Sequence, residues 1–166
     1  MCIPGLNDIM INLFSRKDIG VVKPEITERY LISSPELTKE LNDLEIETVG
    51  RRLDSEYYYP TLVGWADMLG YIYLTQELPK YSVDAEGKWN LDCEDFALWL
   101  KVMCSLHFGI NTNIYITGTM PRGTHGYNLL KAKEGYFLWE PNPGFNIQEP
   151  FTIGDDYGYI PIEAFG

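Results

Sequence analysis

Asp92-Cys93-Glu94-Asp95-Phe96-Ala97-Leu98-Trp99-Leu100-Lys101-Val102-Met103-Cys104-Ser105-Leu106-His107-Phe108-Gly109 reads as one helix with a cysteine in its first turn. Asp92 is a good N-cap, and Asp95 answers it three residues later in a shortened capping box. Between Phe96 and Phe108 the one fully charged side chain is Lys101. A helix apolar nearly all round is a buried one, so the pattern predicts a buried central helix over about 93–107, stopped by Gly109. Cys93 then sits where backbone N–H groups point outward and the helix dipole favours an anion. Such a position suits a thiolate nucleophile.

Downstream of Gly109 the apolar period changes to two. Asn113–Thr117, Thr124–Leu130 and Tyr136–Glu140 read as strands, with Lys133-Glu134-Gly135 as a turn and a fourth short strand near Tyr157–Ile160. Upstream, Leu62, Trp65, Leu69 and Ile72 recur at helical spacing within 61–78, and Pro79 closes that helix. Residues 80–91, with Gly87, Trp89 and Asn90, form a loop. A shorter helix is expected at about 35–43, with Ser34 as cap and Pro35 at the first helical position. Helices first and an antiparallel sheet after them define an α+β fold. Residues 1–50 form an N-terminal accessory segment, packed on or extending from a domain spanning 51–166.

Two histidines are candidates to serve Cys93. His107 lies on the same helix, about 21 Å away at 1.5 Å per residue, and cannot reach the thiol. His125, on a later strand, can return across the helix start. Cys104, about 16 Å from Cys93 by the same rise, reads as a small core residue. Cys2 is terminal and unplaced. The third group depends on strand parity. With an even-length turn, His125 and Glu140 project from one sheet face, whether Lys131 pairs with Tyr136 or Leu129 pairs with Glu140. A three-residue turn puts Trp139 there instead, and Asn142 competes if pairing runs past Pro141. A thiol, an imidazole and a carboxylate in this order make a nucleophile, a proton shuttle and its orienting group. The Cys93 backbone N–H is the natural first oxyanion donor, with Gln76, Trp65 and Trp89 as candidates for the second. Asp92, Glu94 and Asp95 work against a thiolate by their charge, unless capping occupies them.

The 166 residues suit one domain with a sizeable core. Thirteen Lys and Arg against 24 Asp and Glu give a net charge of −11, a field that repels nucleic acids and anionic membranes. Three cysteines without close spacing argue against a disulfide framework or a zinc site. Met1–Asp8 lacks the charged and apolar regions of a signal peptide, and no apolar run approaches the roughly 18 residues of a membrane span. The expected location is cytoplasmic. Tyr57-Tyr58-Tyr59 reads as core or rim packing, and Arg51-Arg52 as a solvated pair.

Asp92-Cys93-Glu94-Asp95-Phe96-Ala97 resembles the nucleophile motif of the bacterial transglutaminase-like cysteine proteinases, within the wider transglutaminase-like, papain-like superfamily. Gly123-Thr124-His125-Gly126-Tyr127 is similar to the family's histidine strand, and Trp139-Glu140-Pro141 to its third element. The resemblance covers roughly residues 60–145. Glu140 replaces the usual aspartate, and Gly126 stands where a small apolar residue is common. The resemblance implies a papain-like or transglutaminase-like core and acyl transfer at an amide bond. The family holds peptidases, amidases, cross-linking enzymes and inactive relatives.

The expectation is therefore a cysteine peptidase or amidase with Cys93, His125 and Glu140 as the triad, acting on a peptide, protein or other amide. No cofactor and no metal are implied. The rivals are a non-catalytic module that keeps the fold for binding or assembly, a cross-linking transglutaminase, and a metal site at Asp92, Glu94 and Asp95 with His125.

Overall fold

Local chemistry sets the helix ends. The computed structural model describes residues 21–50, 54–79, 91–145, 147, 149–155 and 157–165. Helix α1 spans Ser34–Asp43 and is capped by Ser33, one residue earlier than the sequence suggests. Glu36 decides this. Its carboxylate accepts the Ser33 N–H at 3.1 Å while the Ser33 hydroxyl accepts the Glu36 N–H at 3.4 Å, which closes a capping box. Pro35 falls in the first turn, where its missing N–H costs nothing.

Helix α2 spans Leu62–Thr75, capped by the Thr61 hydroxyl on the Gly64 N–H at 3.1 Å. It stops short of Pro79. The Thr75 hydroxyl turns back onto the Tyr71 carbonyl at 2.7 Å, and Gln76 is already extended. Helix α3 spans Cys93–Phe108, with Asp92 as N-cap and Gly109 as left-handed C-cap at φ 63°.

Five strands form the main sheet: β2 (Glu47–Val49), β4 (Asn113–Met120), β5 (Gly123–Ala132), β6 (Gly135–Trp139) and β7 (Ile160–Phe165). Their order is β2-β7-β4-β5-β6. The expected all-antiparallel sheet is mixed, because β2 runs parallel to β7. The last strand begins at Ile160 rather than near Tyr157. Asp155 accepts the Tyr157 N–H on its side chain at 2.9 Å and the Gly158 N–H on its carbonyl at 3.3 Å, so those residues are spent in a turn. Strands β1 (Tyr30–Ser33) and β3 (Glu56–Tyr59) make a separate antiparallel pair.

The sheet is covered on both faces. Helices α2 and α3 bury Trp65, Leu69, Leu100 and Cys104 against Leu130, Ala132 and Trp139. On the other side Leu37, Leu41, Ile46 and Tyr57 pack with Ile114, Tyr127, Leu129 and Tyr159. Residues 30–49 thus belong to the packed layers, and Lys131 Nζ meets Glu40 at 2.6 Å to tie α1 to β5. The prediction that α3 is buried all round needs correction. Phe96, Ala97, Leu100, Cys104 and Phe108 face the core, while Leu98, Val102 and Leu106 are 44%, 54% and 70% exposed. A single layer of sheet and one neighbouring helix cover only one side of the cylinder. No described helix is long and apolar enough to cross a membrane. The sequence readings for Cys2, Arg51-Arg52, Trp89 and the loop from 80 to 90 lie outside the described residues.

Candidate active site

The turn between β5 and β6 is even. Ala132 pairs with Gly135 and Lys131 with Tyr136, leaving Lys133-Glu134 as a two-residue turn. The ladder ends at Asn128–Trp139, so Glu140 follows β6 on the side of the sheet shared by Tyr127 and His125. Its position is fixed from both flanks. The Tyr73 hydroxyl of α2 donates to the Pro141 carbonyl at 2.9 Å and accepts the Trp139 indole N–H at 3.1 Å.

Because β6 stops at Trp139, β5 is an open edge from Tyr127 back to Gly123. The start of α3 fills that edge. The Gly126 N–H, which no described strand pairs on that side, donates to Cys93 Sγ at 3.2 Å. Glycine leaves room for this approach. A Cβ at Gly126 would stand 3.3 Å from the Glu94 backbone and 3.1 Å from the Tyr115 ring.

His125 lies between the thiol and the carboxylate. Its Nε2 is 2.7 Å from Glu140 Oε2, and the Cys93 thiol lies near enough to the ring to raise its pKa. With the Glu140 carboxylate as acceptor, Nε2 is the nitrogen that carries the proton. His125 is 6% exposed and Glu140 2%, whereas Cys93 is half-buried and open to a reagent. Glu140 accepts two further bonds, from the Tyr159 hydroxyl at 2.9 Å and from the Asn142 backbone N–H at 2.9 Å. Asn142 therefore supports the carboxylate through its main chain, and its side-chain oxygen accepts the Gly144 N–H at 2.9 Å. The imidazole ring packs on Phe145 at 4.7 Å between centroids.

The electrostatics follow from this packing. The His125 side chain is the largest influence on Cys93 and lowers its pKa. Burial opposes it, and the Gly126 N–H and the histidine charge add to it. Burial pushes His125 down, but the bonds and charges of Cys93 and Glu140 outweigh it and hold the imidazole at about 9. The carboxylates beside the thiol are largely occupied. Asp92 accepts the Glu94 N–H at 3.2 Å and Asp95 accepts the Asp92 N–H at 3.0 Å, so both serve the capping box. Asp92 is the smallest influence on Cys93 and the one carboxylate among them, raising its pKa.

Of the three residues that the sequence reading brings together, His125 and Glu140 are in contact at 2.7 Å, and Cys93 lies against the backbone N–H of Gly126, the residue after His125. Cys104 is fully buried, and burial pushes its thiol up to about 12. Trp65 is not available as an oxyanion donor, since its indole N–H is bonded to the Lys131 carbonyl at 2.8 Å. Gln76 donates to Thr75 at 2.9 Å. Among the described residues no group of three or more His, Cys, Asp or Glu side chains is arranged to hold a metal ion. Tyr159 and Phe145 were missed by sequence reasoning. The aromatic that follows Pro141, Pro143 and Gly144 is a weak signal for Phe145, and nothing local marks Tyr159.

No protein-family model and no curated protein matches the sequence. Among solved structures the fold is similar to the "PSL1a-E64 complex", with a TM-score of 0.56 and 16% sequence identity. The match covers 82% of this chain and 50% of that one, so the chain spans about half the length of the structure it resembles. At this identity the likeness is one of fold.

Proposed function

We propose that the chain is a cysteine-dependent acyltransferase with a papain-like or transglutaminase-like core, and that it hydrolyses a peptide or other amide bond. The observation that carries this reading is the position of His125, which meets Glu140 at 2.7 Å and sits one residue before Gly126, whose N–H donates to Cys93 Sγ at 3.2 Å. In the first step the Cys93 thiolate attacks the amide carbonyl carbon and a C–S bond forms. His125 gives its proton to the leaving nitrogen as the C–N bond breaks, which leaves a thioester. Water then adds to the thioester, His125 takes its proton, and the acid departs as the thiolate is restored. Glu140 stabilises the imidazolium throughout. The Cys93 N–H, at the first helical position where backbone donors lack an intrahelical acceptor, supports this reading as the donor that would meet the oxyanion.

An activated ester such as p-nitrophenyl acetate tests the reading. Wild-type protein is expected to release nitrophenolate in a burst and carry an acetyl group on the Cys93 peptide, detected by mass spectrometry, that decays in water. Cys93→Ala is expected to do neither. A wild-type protein with no thioester at Cys93 and no turnover contradicts the proposal.

A further inference from the structure

We propose that Tyr159 is a positioning residue of this site, acting through Glu140 to set how firmly His125 keeps its proton; the inference rests on the acyl-transfer reading above. The Tyr159 hydroxyl donates to Glu140 Oε2 at 2.9 Å. His125 Nε2 meets that same oxygen at 2.7 Å. Two donors therefore divide one carboxylate oxygen, while the Asn142 N–H occupies Oε1 at 2.9 Å. Tyr159 is 3% exposed and Glu140 2%, so bulk water does not dilute this competition. Charge drawn toward the phenol is charge the imidazolium does not feel.

The ring of Tyr159 is locked by its neighbours. It stands edge-on to His125 at 6.0 Å, to Tyr127 at 5.1 Å and to Phe151 at 5.1 Å. A phenylalanine would make the same ring contacts, and the hydroxyl adds the bond to Glu140. That bond suits a general acid. A histidine held by both a thiolate and a carboxylate keeps its proton too well to give it to a leaving amine, and a second donor on the carboxylate weakens the hold. The other titratable or charged groups facing this cluster are Cys93 and Asp92 at the start of α3, Tyr127 on β5 and Arg122 in the turn between β4 and β5.

The test is Tyr159→Phe, made both in wild type and in Glu140→Gln. The His125 ring is titrated by nitrogen-15 NMR, and Cys93 alkylation by iodoacetamide is followed across the same pH range. In the wild-type background Tyr159→Phe is expected to raise the pH at which His125 loses its proton by roughly half to one unit, the size of one neutral hydrogen bond. In the Glu140→Gln background Tyr159→Phe moves nothing. A titration that stays put or moves down overturns the proposal. So does an equal shift in both backgrounds, or a lowered melting temperature with an unmoved titration. Failure of the acyl-transfer reading looks different. There, wild-type Cys93 alkylates at the slow rate of an ordinary thiol whatever the His125 titration does.

Discussion

Cys93 has a lowered pKa beside three carboxylates, and the reason lies in how each neighbour is used. Asp92 and Asp95 spend their oxygens on backbone N–H groups of the helix start. The Gly126 N–H points at the sulfur, and the nearby His125 lowers the thiol pKa. The acid and alkaline limbs of a reactivity profile belong to this coupled pair rather than to either residue alone. Below the lowered thiol pKa the sulfur is protonated and inert. Above about 9 the imidazole loses the proton it must donate. Glu140→Gln removes a charge that raises His125. The alkaline limb of turnover is then expected to move down from about 9 toward the ordinary 6.5, measured as kcat against pH. A limb that stays near 9 contradicts the role given to Glu140. The place of Cys93 at a capped helix start and the contact of His125 with Glu140 were legible in the sequence, because a cap and a strand parity each act over few residues. Tyr159 was not, since it reaches Glu140 only after β7 folds back across the sheet.

At the scale of elements the site depends on a strand that ends early. The pairing of β5 with β6 stops at Asn128 and Trp139, and the start of α3 takes the vacated edge at Gly126. Gly126→Val is expected to push the helix start away from His125, since even a Cβ would meet the Glu94 backbone at 3.3 Å. A displacement near 1 Å costs on the order of 100-fold in rate. Cys93 alkylation checks this, with far-ultraviolet circular dichroism to show that the fold persists, and an unchanged rate would refute it. Helix existence was readable here, but helix ends were not. The Ser33–Glu36 box and the Thr75 hydroxyl on Tyr71 moved two boundaries by a few residues. The exposed stripe of Leu98, Val102 and Leu106 was also hidden, because apolar content alone does not say how many neighbours a helix will find.

At the scale of the whole molecule, three layers hold the site. The sheet carries His125, α3 brings Cys93 from its edge, and the layer of α1 with β1 and β3 seals the face that holds Glu140 and Tyr159. Leu37 and Leu41 of α1 are fully buried in that layer. Leu41→Ala is expected to cost about 2–5 kcal/mol of stability, measured by urea denaturation. A cost under about 0.5 kcal/mol, the scale of a surface substitution, would contradict the packing. The α+β class was readable from the order of periods along the chain. The mixed sheet was not, because the parallel pairing of β2 with β7 joins segments more than 100 residues apart and no local pattern announces it.

The central claim is that Cys93 and His125 form one working pair. The rate of Cys93 alkylation by iodoacetamide, followed from pH 4 to 10 in wild type and in His125→Ala, tests it most directly. The pair predicts rapid reaction well below pH 8 in the wild type and a return to an ordinary thiol, with a pKa near 8.5, in His125→Ala. Slow reaction with the same ordinary profile in both proteins contradicts it.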